Sequence, residues 1–457
     1  MINLYLLAIV SIGLFSYYRG RKTIQKRIVG KVNKQHSKDT YHGSYLALNL
    51  ILPSFIFILL WYMISPNILN SLLEIKILNL LPSIGENEIN ILKSKVISAS
   101  NGILPIDSEQ TGFLVDYYRN ISKFSINLII ALSSIFSIIF FYFAYKNISL
   151  RFNARSKVEN ILKYTMIAAS FVAILTTLGI LLSLIIETIE FFKLVNVTDF
   201  LFGLQWSPQI ALREDQIANK GLFGAVPLFA GTLLITLIAM FVAIPIGLLS
   251  AIYLSEYSNS RLRSFAKPML EVLAGIPTVV YGFFAALTVA PFLRNNGATV
   301  GLNLSSESAL AAGLVMGIMI IPLISSLSDD IINAVPQSLR EGSAALGSTQ
   351  SETVRRVILP AALPGIVSAI LLAVSRAIGE TMIVVMAAGV AANLTANPFE
   401  SVTAVTVQIV VLLIGDQEFD SAKTLAAFAL GFTLFIITLL LNILSIYIIR
   451  KYREQYD

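Results

Sequence analysis

Arg376 and Glu380 are the residues whose types and spacing most need a chemical explanation. They stand in the run Ser375-Arg376-Ala-Ile-Gly-Glu380-Thr381, in an apolar segment that begins near Ala361. At the rise of a helix, Arg376 falls roughly 20 Å along that segment, close to the centre of a bilayer. An arginine there costs about 2.5–3.5 kcal/mol on insertion scales, and it cannot escape the cost by deprotonating. Four residues apart on a helix, the two side chains share a face and can pair. As a structural ion pair they would join helices together. As the lining of a passage, the planar guanidinium offers a fork suited to a phosphate-like oxyanion, and Glu380 would hold that fork when the passage is empty. Gly379 would let the anion or a neighbouring helix approach the backbone closely.

A second stretch, Glu341-Gly-Ser-Ala-Ala-Leu-Gly347, continues through nine residues to Val357-Ile-Leu359-Pro360. A helix is expected from near Ser338 through Leu346, with Gly347 permitting a sharp change of direction. A second helix from about Ser351 is expected to end before Pro360. Two short helices at an angle form a docking knob; the alternative is an ordinary solvated loop.

These residues need a membrane protein to position them. The chain has 457 residues, of which 56% are hydrophobic and only 13% charged, and its mean hydropathy is +0.77. Soluble chains run at about 45–50% apolar and about 25% charged, so an ordinary water-soluble enzyme is excluded. With no cysteine, thiolate, zinc-ribbon and iron–sulfur chemistry are excluded too. A histidine metal site or a serine triad would have to be built from His36 and His42, so no metal site is expected.

Nine segments are expected to span the bilayer: 2–18, 44–65, 125–146, 162–187, 226–254, 268–293, 308–328, 361–388 and 424–449. The run 402–414 is too short and is expected to lie along one membrane surface. With the N-terminus outside and the C-terminus in the cytoplasm, the cytoplasmic segments hold 22 of the 33 Lys and Arg, as the positive-inside rule requires. The first segment has its basic residues after it, the reverse of a signal peptide.

The chain divides near residue 150. Residues 1–150 form an N-terminal extension of three helices, with an outer loop 66–124 that reads as a small folded cap. Residues 151–457 carry six helices and an outer loop 188–223, where Trp206 fits the headgroup level; alternatively the loop meets a substrate-delivering protein outside. Pro245, Pro277, Pro322 and Pro364 fall inside helices, and Gly275-Ile-Pro277 with Tyr281-Gly282 can form a bend that lines the path, or serve helix packing equally well. Glu187, Glu190, Asp329 and Asp330 lie at helix ends and are expected to be solvated.

The stretch at 336–360 resembles the coupling loop of binding-protein-dependent ABC importer permeases, with Glu341, Gly347, Leu359 and Pro360 in register, Val357 where isoleucine is usual, and Gly342 and Ser343 in place of two alanines. The Arg376–Thr381 run is similar to that of phosphate-specific importer permeases of the PstC and PstA type. Phe202-Gly-Leu-Gln-Trp-Ser-Pro208, Phe223-Gly-Ala-Val-Pro227, Leu273-Ala-Gly-Ile-Pro277 and Asn397-Pro-Phe-Glu400 favour PstC. The resemblance covers roughly 160–452 and implies an all-α, polytopic fold: a six-helix permease core preceded by about three extra transmembrane helices, in a bacterial cytoplasmic membrane.

It also implies a role for Arg376 and Glu380 in phosphate translocation, with Thr381 beside them on the path. The chain has no G-x-x-x-x-G-K-[ST] phosphate loop, so ATP and Mg²⁺ belong to a separate ATPase and this chain binds no cofactor. The implied partners are a homologous PstA-type permease subunit, two ATPase subunits and an extracytoplasmic phosphate-binding protein, with no nucleic acid. Import of sulfate or molybdate by the same architecture stays open, as does an ATP-independent channel or carrier.

Overall fold

The computed structural model describes residues 2–28, 36–82, 85–105, 109–149, 151–208, 221–299, 301, 304–414 and 421–452. Residues 209–220 of the outer loop 188–223, and Lys31 and Lys34 of the first basic segment, lie outside these. In chain order the helices are α1 (Ile2–Ile28), α2 (Asp39–Leu80), α3 (Glu86–Ser100), α4 (Glu109–Asn147), α5 (Ala154–Leu194) and α6 (Val197–Phe202). A two-residue antiparallel hairpin follows, β1 (Trp206–Ser207) with β2 (Leu222–Phe223). Then come α7 (Val226–Ile252), α8 (Ser260–Ala274), α9 (Thr278–Phe284), α10 (Ala290–Thr299), α11 (Ala309–Asn333), α12 (Gln337–Ala345), α13 (Gln350–Thr353), α14 (Leu359–Ile378), α15 (Met382–Ala387), α16 (Val405–Leu413) and α17 (Ala422–Tyr452). The chain forms two compact units, Met1–Leu175 and Thr176–Asp457, with the division inside α5.

Among the described residues, seven helices are long and apolar enough to cross a membrane, and an eighth if the bent pair α8 and α9–α10 is one span. Nine were expected. The 27 residues of α1 are long enough, but Arg19, Arg21 and Lys22 lie within the helix and its purely apolar part is short. The segment 268–293 is not one straight span either, because the chain turns by 86° between Ala274 and Thr278. Gly275 closes α8, and Pro277, which has no N–H to give, opens α9. The expected bend is therefore present.

In the first unit, α1, α2 and α4 pack closely because small residues allow it. A methyl group on Gly20 would lie 3.0 Å from the Gly43 Cα, so the two backbones nearly touch there. Hydroxyls stitch the bundle: Tyr5 meets Ser133 at 2.7 Å, the Ser137 hydroxyl donates to the Leu50 carbonyl at 2.7 Å, and the Trp61 indole donates to Ser125 at 3.0 Å. The expected cap over 66–124 is helical. The ends of α2 and α4 extend into it and bury Leu73, Ile77, Leu114 and Val115 against Ile89, Val96 and Ala99 of α3.

The second unit is built around α11, whose most apolar window is 61% buried against 0% for α5. Gly313 and Gly317 of α11 lie against Ile238 and the Ala239 carbonyl of α7. Ile235, Ala239, Met316, Ile320, Ala373 and Ile383 form the core between them. The α5 surface is apolar and exposed, as a helix facing lipid or another chain must be. Instead of lying flat along a surface, α16 is packed inside the unit: Val402 to Gln408 are buried, and the Val405 amide donates to the Thr232 hydroxyl at 3.0 Å.

Candidate functional site

The coupling stretch forms two helices at an angle, as expected. The Gly347 amide donates to the Ala344 carbonyl at 2.9 Å and the Ser348 amide to the Ser343 carbonyl at 3.2 Å. This pair of bonds closes a helix through a left-handed residue, and Gly347 has φ +83°. Thr349 and Glu352 then start α13 with a reciprocal capping box. The second helix does not end before Pro360. A wide π turn at Val354–Ile358 carries α13 into α14, and Pro360 sits in the first turn of α14, where its missing N–H costs little. The apolar side of the knob, Val354 and Ile358, is buried against Ala251, Ile332 and Val335. Glu341 points outward, and Leu346 at the tip is 89% exposed.

Sequence reasoning missed what holds the knob in place. The Arg340 guanidinium donates to Glu256 in the π turn Tyr253–Tyr257 that follows α7 (2.9 Å) and to the Ile332 carbonyl at the end of α11 (2.9 Å). The Ser343 and Thr353 hydroxyls meet at 2.8 Å and fix the angle between α12 and α13. Arg340 precedes the motif glutamate directly, which was the available signal.

Asp329 is a correction of the same kind. It was expected to be solvated, yet its side chain is 4% exposed and accepts from Arg263 at 3.0 Å and Lys267 at 2.9 Å. The bend after α8 folds these two cations, four residues apart on one helix face, back over α11. Asp330 is exposed as expected.

The intramembrane pair is also rearranged. Arg376 lies in the last turn of α14, where a cation suits the helix dipole. The helix stops at Ile378, so the expected continuous segment 361–388 is broken and Glu380 lies beyond its end. There is no Arg376–Glu380 ion pair among the described residues. Instead the buried Glu380 carboxylate accepts from the amides of Met382 (3.1 Å) and Ile383 (3.4 Å) at the start of α15. Its backbone carbonyl accepts from the Thr406 hydroxyl at 2.7 Å. Unpaired helix-terminal amides compete for a carboxylate, and here they win. The Arg376 side chain is exposed and has no hydrogen-bond or ion-pair partner among the described residues. Thr381 is half-buried beside the break, and its hydroxyl lies 3.5 Å from the Gly379 carbonyl. Among the described residues, no neighbouring helix comes within 4 Å of a methyl placed on Gly379, so that face of the break is open.

Trp206 is not at a headgroup surface. It is buried against Phe223, and its indole donates to the Gln408 amide oxygen at 3.0 Å. The Gln408 nitrogen donates to the Val390 carbonyl at 2.7 Å. This ties the outer hairpin to the turn after α15.

A polytopic helical fold with a polar break inside one span and a knob at the foot of the same helix defines a multi-pass membrane transport subunit. Residues 243–454 match the family described as binding-protein-dependent transport system inner membrane component. Residues 6–176 match the family described as phosphate ATP-binding cassette transporter, an affinity that the sequence reading did not find for the N-terminal extension. The chain is 30% identical over 286 residues to the probable ABC transporter permease protein YqgH of Bacillus subtilis, covering 62% of this chain and 87% of that one. It is 34% identical over 282 residues to the phosphate transport system permease protein PstC 1 of Mycobacterium tuberculosis, covering 56% and 83%. Among solved structures, a chain of the inward-facing MetNI methionine ABC transporter is similar at 21% identity and TM-score 0.38, covering 50% of this chain and 95% of that one. The chain belongs to the binding-protein-dependent transport permeases, among those of PstC type.

Proposed function

We propose that this chain is the membrane permease subunit of an ATP-driven importer of inorganic phosphate. The observation that carries this reading is the similarity to PstC over 83% of that protein's length. In this reading residues 151–457 are the permease domain and 1–150 an N-terminal membrane extension. The chain works with a homologous PstA-type subunit, two ATPase subunits and an extracytoplasmic phosphate-binding protein, and ATP and Mg²⁺ stay on the ATPases. The 336–360 knob faces the cytoplasm, as does the C-terminus; in this reading α1 is a ninth crossing and the N-terminus lies outside.

The geometry supports a division of labour along α14. At its foot Glu341, Gly347, Leu359 and Pro360 belong to the knob that meets the ATPase. Near its head lies Arg376, 17 residues after Leu359, or roughly 25 Å along the helix. Because Glu380 is engaged by the α15 amides, the guanidinium is available to a tetrahedral oxyanion, which it can meet with two parallel N–H donors. Thr381 and the open side of Gly379 border the same break. Movement of the knob tilts α14, and with it the arginine, between an outward and an inward opening.

The test is ATP-dependent uptake of labelled phosphate by the reconstituted complex. Arg376→Ala is expected to lower uptake at least 100-fold while the complex still assembles. Normal uptake by a stably inserted Arg376→Ala chain would overturn the assignment.

A further inference from the structure

The basic half of α1 takes no part in the import reading. Phe15, Tyr18, Arg19, Lys22 and Lys26 follow one another at helical spacing and fall on one face. Along roughly 16 Å this face changes from apolar to aromatic to cationic. It borders a cleft of about 890 Å³ in the first unit, closed on another side by Tyr145 of α4.

The charges in the cleft are unequally satisfied. Arg21 and Gln25 are drawn away to Asp39, at 3.4 and 2.7 Å. Arg19 lies over the Tyr145 ring, 6.0 Å from its centre. Lys22 and Lys26 are exposed, with no hydrogen-bond or ion-pair partner among the described residues. Among the described residues, no acidic side chain lines the cleft. The opposite face of α1 is anchored by Ile24, which is fully buried with Leu46, Ala144 and Ile148, so the cations are held on a packed helix and do not hang from a loose tail.

We propose that this cleft binds the phosphate group of an anionic membrane phospholipid. Lys22, Lys26 and Arg19 would meet the phosphate, and Phe15 and Tyr18 would lie along the start of the acyl chains. A phosphate without chains would meet the same cations. The exposed aromatic approach from the apolar end of α1 favours the lipid, because a soluble anion gains nothing from Phe15 or Tyr18. Basic clusters at the end of a membrane helix attract such headgroups, at about 1 kcal/mol per lysine or arginine.

The test uses the full chain purified in detergent, with bound lipid read by native mass spectrometry after addition of phosphatidylglycerol or phosphatidylcholine of the same chain length. Wild type is expected to retain phosphatidylglycerol in preference. The double variant Lys22→Gln/Lys26→Gln should lose about 5-fold per lysine removed, with an unchanged melting temperature. Lys157→Gln/Lys163→Gln changes net charge equally, away from the cleft, and should stay within about twofold of wild type. Phe15→Ala keeps every cation and should still weaken retention. Equal losses in the two double variants, or no preference between the lipids, would overturn the site. Displacement of the lipid by excess inorganic phosphate alone would assign the cleft to a soluble anion and overturn the lipid source.

Discussion

At the scale of single residues, two acidic side chains show how partners decide what a charge does. Glu380 sits four positions after Arg376, yet its carboxylate caps α15 and leaves the guanidinium open. Asp329 and Asp330 are neighbours in sequence with opposite fates: one is buried under Arg263 and Lys267, the other faces outward. Removing the Asp329 carboxylate leaves both cations without their buried partner. Each cation is about one-third exposed, so water recovers much of the loss and the cost is expected at about 1–2 kcal/mol. Asp329→Ala should therefore lower the melting temperature of the purified chain by a few degrees, whereas Asp330→Ala should leave it within about one degree. Equal shifts would mean that both carboxylates are solvated in the same way.

At the scale of elements, α14 joins the two regions that the sequence singled out. Its foot is the knob and its head is the polar break, and the π turn at Val354–Ile358 lets it continue through Pro360 where a stop was expected. The knob is rigid because Arg340 bolts α12 to the π turn after α7 and to the end of α11, and because Gly347 supplies a φ that a residue with a Cβ reaches only at a cost of about 1–2 kcal/mol. Leu346 contributes nothing to that rigidity, since it is almost wholly exposed. Leu346→Asp should leave the melting temperature unchanged and abolish co-purification with the ATPase partner. Retention of the ATPase by this variant would remove the tip of the knob from the interface. The knob and its glycine were legible in the sequence because turn chemistry is local. The Arg340–Glu256 pairing was not, since 84 residues separate the two and the place of Arg340 beside Glu341 does not name its partner.

At the scale of the molecule, the two units belong to different parts of the reading. The second carries the knob, the break and the core around α11; the first carries a separate helical bundle, its cap and the basic cleft. Family similarity and an arginine fork both point to an oxyanion, and tetrahedral anions of similar size test how selective the passage is. In the reconstituted complex, excess sulfate or molybdate is expected to lower labelled phosphate uptake less than twofold, whereas unlabelled phosphate at the same concentration suppresses it at least tenfold. Equal competition by sulfate would place the chain with importers of another oxyanion.

Composition and hydropathy alone determined that this is a membrane protein with helical spans, because about 20 apolar residues per segment leave the backbone few other ways to satisfy its hydrogen bonds in lipid. Local motifs determined the two short helices at an angle and marked Arg376 as a residue needing a function. Only the tertiary structure decided that α8 folds back at 86°, that α16 and Trp206 are buried, that Glu380 caps a helix and does not pair with Arg376, and that Asp329 is an ion-pair centre. Each of these depends on which distant donor or apolar face arrives first at a given group. Spacing along the chain fixes neighbours on one helix, and it carries no information about partners brought in from another.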